Sequence, residues 1–87
     1  MAWVKQKKYP GSNMNRWVLN ANVFIEKFDD NRSTYNPYKL HKNGEFVLFW
    51  PLRKGWEKAR ENSLATTGGY GKNLPGGLDD AMSYGER

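Results

Sequence analysis

Arg16-Trp17-Val18-Leu19-Asn20-Ala21-Asn22-Val23-Phe24-Ile25-Glu26-Lys27-Phe28 alternates along its whole length. Trp17, Leu19, Ala21, Val23 and Ile25 fall on one side, with Arg16, Val18, Asn20, Asn22, Phe24, Glu26 and Phe28 on the other, the pattern of a strand with one face buried. It predicts one long strand over 16–28. Upstream, Trp3, Lys5, Lys7 and Tyr9 alternate with Ala2, Val4, Gln6 and Lys8, and Pro10-Gly11-Ser12-Asn13 between the two segments has turn chemistry, so a hairpin is expected.

Downstream, Asn43-Gly44 is the favoured loop of a two-residue type I′ hairpin, because both residues tolerate positive φ. Tyr38–Lys42 is therefore expected to pair with Glu45–Trp50. Lys42 then faces Glu45, Leu40 faces Val47 and Tyr38 faces Phe49 on one side; His41 faces Phe46 and Lys39 faces Leu48 on the other. Both sides carry aromatics, and the pattern does not choose the buried one. After Pro51 the period changes: Leu52, Trp56, Ala59 and Ser63 recur at helical spacing, predicting a helix from about Leu52 to Leu64. Gly55 weakens its first turn and makes Gly55 or Trp56 the alternative start.

From Thr66 to Tyr84 the chain holds five of its nine glycines and no sustained apolar period, which reads as a flexible tail. Within it Leu78, Ala81 and Met82 line one side of a single helical turn beside Asp79 and Asp80, a candidate docking peptide for a protein partner. The expected fold class is α+β: a four-stranded antiparallel β-sheet followed by one short α-helix and a flexible C-terminal tail, with the β-β-β-β-α domain at 1–65 and the tail at 66–87.

An 87-residue chain has room for one small core. It carries 14 Lys and Arg against 9 Asp and Glu, a formal charge of +5, which suits an acidic partner such as nucleic acid. The positive charge is concentrated in 1–62, with twelve Lys and Arg against six Asp and Glu. With no cysteine there are no disulfides, thiolate metal sites or cysteine nucleophiles, and a single histidine excludes any site that needs two. The longest apolar run, Phe46 to Leu52, is far shorter than the roughly 20 residues of a membrane helix. No membrane partner is expected, and no export signal is visible at Met1-Ala2-Trp3-Val4-Lys5. The expected location is intracellular: cytoplasmic, or the host cytoplasm for a viral protein.

Enzyme chemistry is not expected. His41 lies beside the hairpin turn with no nucleophile signature near it, and reads as a satisfied or solvent-facing strand histidine. Thr66 to Asn73 resembles a phosphate-binding loop but lacks its first glycine and its closing serine or threonine. Asp29-Asp30-Asn31 lacks the further oxygen ligands of a cation cage and reads as a polar loop. No cofactor or metal is implied.

What remains is a surface on which cations and flat rings interleave. Cations neutralise phosphates and release counterions, while unpaired bases stack on aromatic rings. Trp3, Lys5, Lys7 and Tyr9 share one strand face, and Arg16, Asn20, Asn22 and Phe24 share one face of the next. The two rows are expected to form one continuous patch, with Lys39, Arg53 and Lys54 further along. The function expected from this patch is non-enzymatic binding of single-stranded nucleic acid, DNA favoured, with little sequence preference, as in a transcription or replication accessory factor. The competing reading is a small viral or plasmid-borne protein whose exposed aromatics bind and inhibit, or recruit, a larger host enzyme.

The segment Arg16 to Ser63, with its long alternating strand, acidic turn, basic hairpin, apolar strand, proline and tryptophan-bearing helix, resembles the coactivator fold of positive cofactor four, shared in outline by Whirly and Pur-type proteins. Pro51 and Trp56 stand further apart than in that family, and the hairpin is shorter. The resemblance implies curved sheets whose hairpins hold single-stranded DNA or RNA, a homodimer with contacts through the helices, Trp56 as helix anchor, and Lys39 and Lys42 as hairpin cations. A marginal core with open sheet edges is a separate, physical reason to expect a dimer.

Overall fold

The computed structural model describes residues 2–29, 35–67 and 71–87, and its strands lie side by side in sequence order. They are β1 (Val4–Lys7), β2 (Met14–Asn20), β3 (Val23–Phe28), β4 (Tyr38–Lys42), β5 (Glu45–Trp50) and β6 (Lys72–Pro75). Helix α1 (Trp56–Thr67) links β5 to β6, and α2 (Leu78–Gly85) follows β6. β1 to β5 pair antiparallel; β6 runs parallel to β5, which α1 makes possible by carrying the chain back along the sheet.

The hairpin of β4 and β5 has the expected register, residue for residue from Tyr38 opposite Phe49 to Lys42 opposite Glu45. Asn43 and Gly44 take φ of 50° and 84°, as a type I′ turn demands. β1 and β2 also form the expected hairpin, closed by the Lys8 amide donating to the Met14 carbonyl at 2.9 Å. α1 begins at Trp56, the later of the expected starts.

The expected four-stranded antiparallel sheet with one helix and a flexible tail is not the fold. The sheet is six-stranded and mixed, and there are two helices, within a small α+β unit. One reason lies in the stretch 16–28, which is two strands rather than one. β2 folds back on β3 at Ala21-Asn22, where the Asn20 side-chain oxygen accepts the Asn22 amide at 2.8 Å. Trp17 pairs with Ile25 and Val18 with Phe24, so odd residues meet odd and even meet even. A bulge between Val18 and Asn20 absorbs the shift in register near the turn, and the apolar set keeps its face through the reversal.

The other reason is the C-terminal segment, which supplies β6 and α2. α2 packs across β3, β4 and β5. Beneath it Ile25, Leu40 and Val47 are completely buried, and Ala81 of α2 is buried equally. Leu78, Met82, Tyr84, Trp3, Trp17, Leu19, Tyr38 and Leu74 complete this core. Each large aliphatic buried here contributes about 1.5–3 kcal/mol relative to exposure. Gly85 lies so close to the sheet that a Cβ there would meet the Trp3 ring at 2.9 Å and Val23 at 3.2 Å. At the end of the helix the Lys42 ammonium donates to the carbonyls of Tyr84 and Arg87 at 2.9 and 2.8 Å, placing a cation against the negative end of the helix dipole. Among the described residues α1 makes no comparably extensive contact with a strand. No described helix is long and apolar enough to cross a membrane.

Ala81→Asp is expected to lower the free energy of unfolding by about 3 kcal/mol, because it places a carboxylate in the apolar core. Ser83→Asp, on the exposed side of the same helix, is expected to change it by less than about 0.5 kcal/mol. Urea unfolding of the two variants measures this, and equal effects would show that α2 does not close the core.

Candidate functional site: the sheet face opposite helix α2

Side chains alternate across each strand, so the register assigns every strand residue to a face. The face opposite α2 carries Arg16 and Val18 from β2, Phe24, Glu26 and Phe28 from β3, Lys39 and His41 from β4, and Phe46, Leu48 and Trp50 from β5, of which Leu48 and Trp50 are buried. Cross-strand pairing places Arg16 beside Glu26, Phe24 beside His41, and His41 beside Phe46.

These rings and cations form a row. The Arg16 guanidinium lies over the Phe24 ring at 4.7 Å, Phe24 stacks on His41 at 4.6 Å with 14° between planes, and His41 meets Phe46 edge to face at 5.1 Å. β3 runs between β2 and β4, so Phe24 has Arg16 on one side and His41 on the other. Beside the row the Lys39 ammonium stands over the Phe28 ring at 5.0 Å. Cation–ring contacts of this kind contribute about 0.5–1 kcal/mol at exposed sites and more when desolvated.

Glu26 anchors the row from below. It is 6% exposed, and its carboxylate accepts from Arg16 Nη2 at 2.8 Å, lies 3.5 Å from the Lys8 ammonium, and bonds His41 Nε2 at 3.1 Å. Burial pushes the Glu26 carboxyl up, but the Arg16 hydrogen bond and the charges of Lys8, Arg16 and His41 outweigh it, leaving the carboxyl below its ordinary range. Burial also dominates at His41 and lowers its value, against the pull of Glu26. Near neutral pH the imidazole is therefore uncharged, and because an ionised carboxylate only accepts, Nε2 carries the proton that it donates to Glu26. At the far end of the row lies an open cleft of about 430 Å³ lined by Gly44, Glu45, Phe46, Gly71 and Lys72.

The twelve residues expected at the site are divided. Arg16, Phe24 and Lys39 come together on this face. Trp3, Lys5 and Lys7 lie on the opposite one, so the two strand rows do not join. Trp3 packs against α2 and donates its indole N–H to Glu86 at 2.8 Å; Lys5 lies over the Trp17 ring at 5.4 Å; Lys7 pairs with Asp29. Tyr9 is 60% exposed beside the first turn. Asn20 and Asn22 make the β2–β3 turn, Lys42 caps α2, and Arg53 and Lys54 are exposed ahead of α1, where the Lys54 carbonyl accepts the Tyr35 hydroxyl.

Lys8, Glu26, Phe28, His41 and Phe46 complete the row without having been expected there as site residues. The β4–β5 register already puts His41 against Phe46, but the contact of Phe24 with His41 depends on β3 lying beside β4. Of the Asp29-Asp30-Asn31 loop, Asp30 and Asn31 lie outside the described residues, as do Gly68, Gly69 and Tyr70 of the phosphate-loop-like stretch.

Because both Glu26 and His41 bind protons less readily folded than unfolded, stability is expected to fall on acidification. The loss begins near pH 6.5, where unfolded His41 protonates, and deepens below pH 4.5, where unfolded Glu26 does. It is complete once pH has passed below the folded values. His41→Gln is expected to abolish the first phase and to leave most of the second, which Arg16 and Lys8 sustain, measured as the urea midpoint against pH. A midpoint that rises between pH 6.5 and 5 would mean that Glu26 outweighs burial at His41.

Compared with protein-family models, curated proteins and solved structures, the chain gives no match.

Proposed function

We propose that the chain is a non-enzymatic module that binds single-stranded nucleic acid, DNA in preference to RNA, across the face formed by β2 to β5. The observation that carries this reading is the row itself: Arg16, Lys8 and Lys39 held beside a continuous line of rings that ends at an open cleft.

The row also refines the mode of binding. Phe24 has Arg16 over one side and His41 over the other, so a base does not stack there without displacing one of them. Phe24 instead backs the guanidinium, which Glu26 also holds, and a cation fixed from two directions loses little side-chain entropy when it meets a phosphate. Phe46 meets its neighbour only edge to face and borders the cleft, which makes it the base-stacking position. The backbone then runs along the row, phosphates meeting Arg16, Lys8 and Lys39. Contacts of these kinds read charge and ring faces and discriminate little between sequences.

In a titration of labelled oligothymidine followed by anisotropy, log affinity is expected to fall linearly with log salt. Each phosphate contact contributes a slope of about −0.7 for a single strand. Lys39→Gln is expected to reduce the slope by roughly that amount, and Lys58→Gln on α1 to leave it unchanged. Phe46→Ala is expected to weaken binding by about 1–3 kcal/mol with little change in slope. Binding indifferent to salt and to Lys39, or no binding, would remove the nucleic-acid reading and favour a protein partner.

A further inference from the structure

β1 is the outermost strand, paired only with β2, and all four of its residues are exposed. Just past the last register pair, Lys7 with Asn15, the Lys8 amide bonds the carbonyl of Met14, so in the alternating antiparallel pattern Val4 and Gln6 spend their backbone groups on β2. The N–H and C=O of Lys5 and Lys7 therefore point away from the sheet. The strand is fixed near both ends, by Trp3 against α2 and by the Lys8–Met14 bond, so its edge is presented already extended.

We propose that this edge captures an extended acidic segment of a partner protein as an added strand, with carboxylates at every second residue opposite Lys5 and Lys7. The two lysines share a face, and residues directly opposite them on an added strand lie on that same face, where opposite charges attract and like charges repel. Both kinds of backbone group matter to the choice of partner. The edge offers donors and acceptors in alternation, which a peptide backbone matches; a sugar–phosphate backbone has no N–H to give the outward carbonyls. A second copy of β1 fits poorly, because self-pairing sets the Lys5 and Lys7 pair against itself. The Lys7 side chain is 47% exposed even while paired with Asp29, so an incoming carboxylate reaches it. The site is separate from the nucleic-acid face and does not rest on it.

The test uses the full chain and three labelled peptides: one alternating Glu with Val and Thr, one with Lys in place of each Glu, and the acidic peptide N-methylated at alternate amides. The acidic peptide is expected to bind, the other two at least about fivefold more weakly, and oligothymidine not to compete. Lys5→Glu with Lys7→Glu is expected to reverse the charge preference, with the urea midpoint lowered only by the loss of the exposed Lys7–Asp29 and Lys5–Trp17 contacts. In the unsubstituted chain, saturating acidic peptide is expected to slow hydrogen exchange at the Lys5 and Lys7 amides, a readout independent of the variant's folding. Equal binding of the N-methylated peptide would show charge attraction without strand addition. Competition by oligothymidine would place the peptide on the opposite face. Either result, unchanged amide exchange, or no binding of the acidic peptide overturns the proposal.

Discussion

The arrangement depends on one act of covering. Ile25, Leu40 and Val47 occupy the centre of a sheet face and stay dry because α2 lies across β3, β4 and β5 with Ala81 pressed against them. A larger residue than Ala81 or Gly85 at the point of contact would hold the helix off the sheet. Lys42 and Trp3 then fasten the far end of the helix, one through backbone carbonyls and the other through Glu86. With one face closed in this way, the opposite face of the same strands carries the polar and aromatic row, with Leu48 and Trp50 buried toward its β5 end.

On that opposite face a buried carboxylate sets the positions of the cations. Glu26 holds Arg16, Lys8 and His41 at once, and its ionisation is sustained by them in spite of burial. Removing one partner of such a cluster leaves the others uncompensated, which is why the group behaves as a unit rather than as separate ion pairs. The stacking of Arg16, Phe24 and His41 follows from the same anchor, since Glu26 neighbours Phe24 along β3, two residues on.

Local pairing was legible in the sequence wherever a turn announced itself. Asn43-Gly44 gave the β4–β5 register in full, and Pro10 to Asn13 gave the first hairpin. The β2–β3 turn was hidden because its pairing preserves parity: Trp17, Leu19, Val23 and Ile25 keep one face across the bend, so alternation reads straight through it. α2 was half legible. Leu78, Ala81 and Met82 showed a turn of helix, but the next position of the stripe is Gly85, which packs through its lack of a side chain and is invisible to an apolar count. The site was legible in its residue types and not in its sidedness, because β1 puts Trp3, Lys5 and Lys7 behind the sheet while Arg16 and Phe24 stand in front.

The closing position of α2 has a bearing on how the chain comes into being. Strands β1 to β5 can pair while the remainder is still inside the ribosome, but Ile25, Leu40 and Val47 lack their cover until residue 85 has emerged. During that interval the nascent sheet shows an apolar surface and an unoccupied edge at β5, the features that chaperones and proteases recognise. A chain in which residues 78–85 fail to dock therefore leaves that apolar surface open to association with other chains.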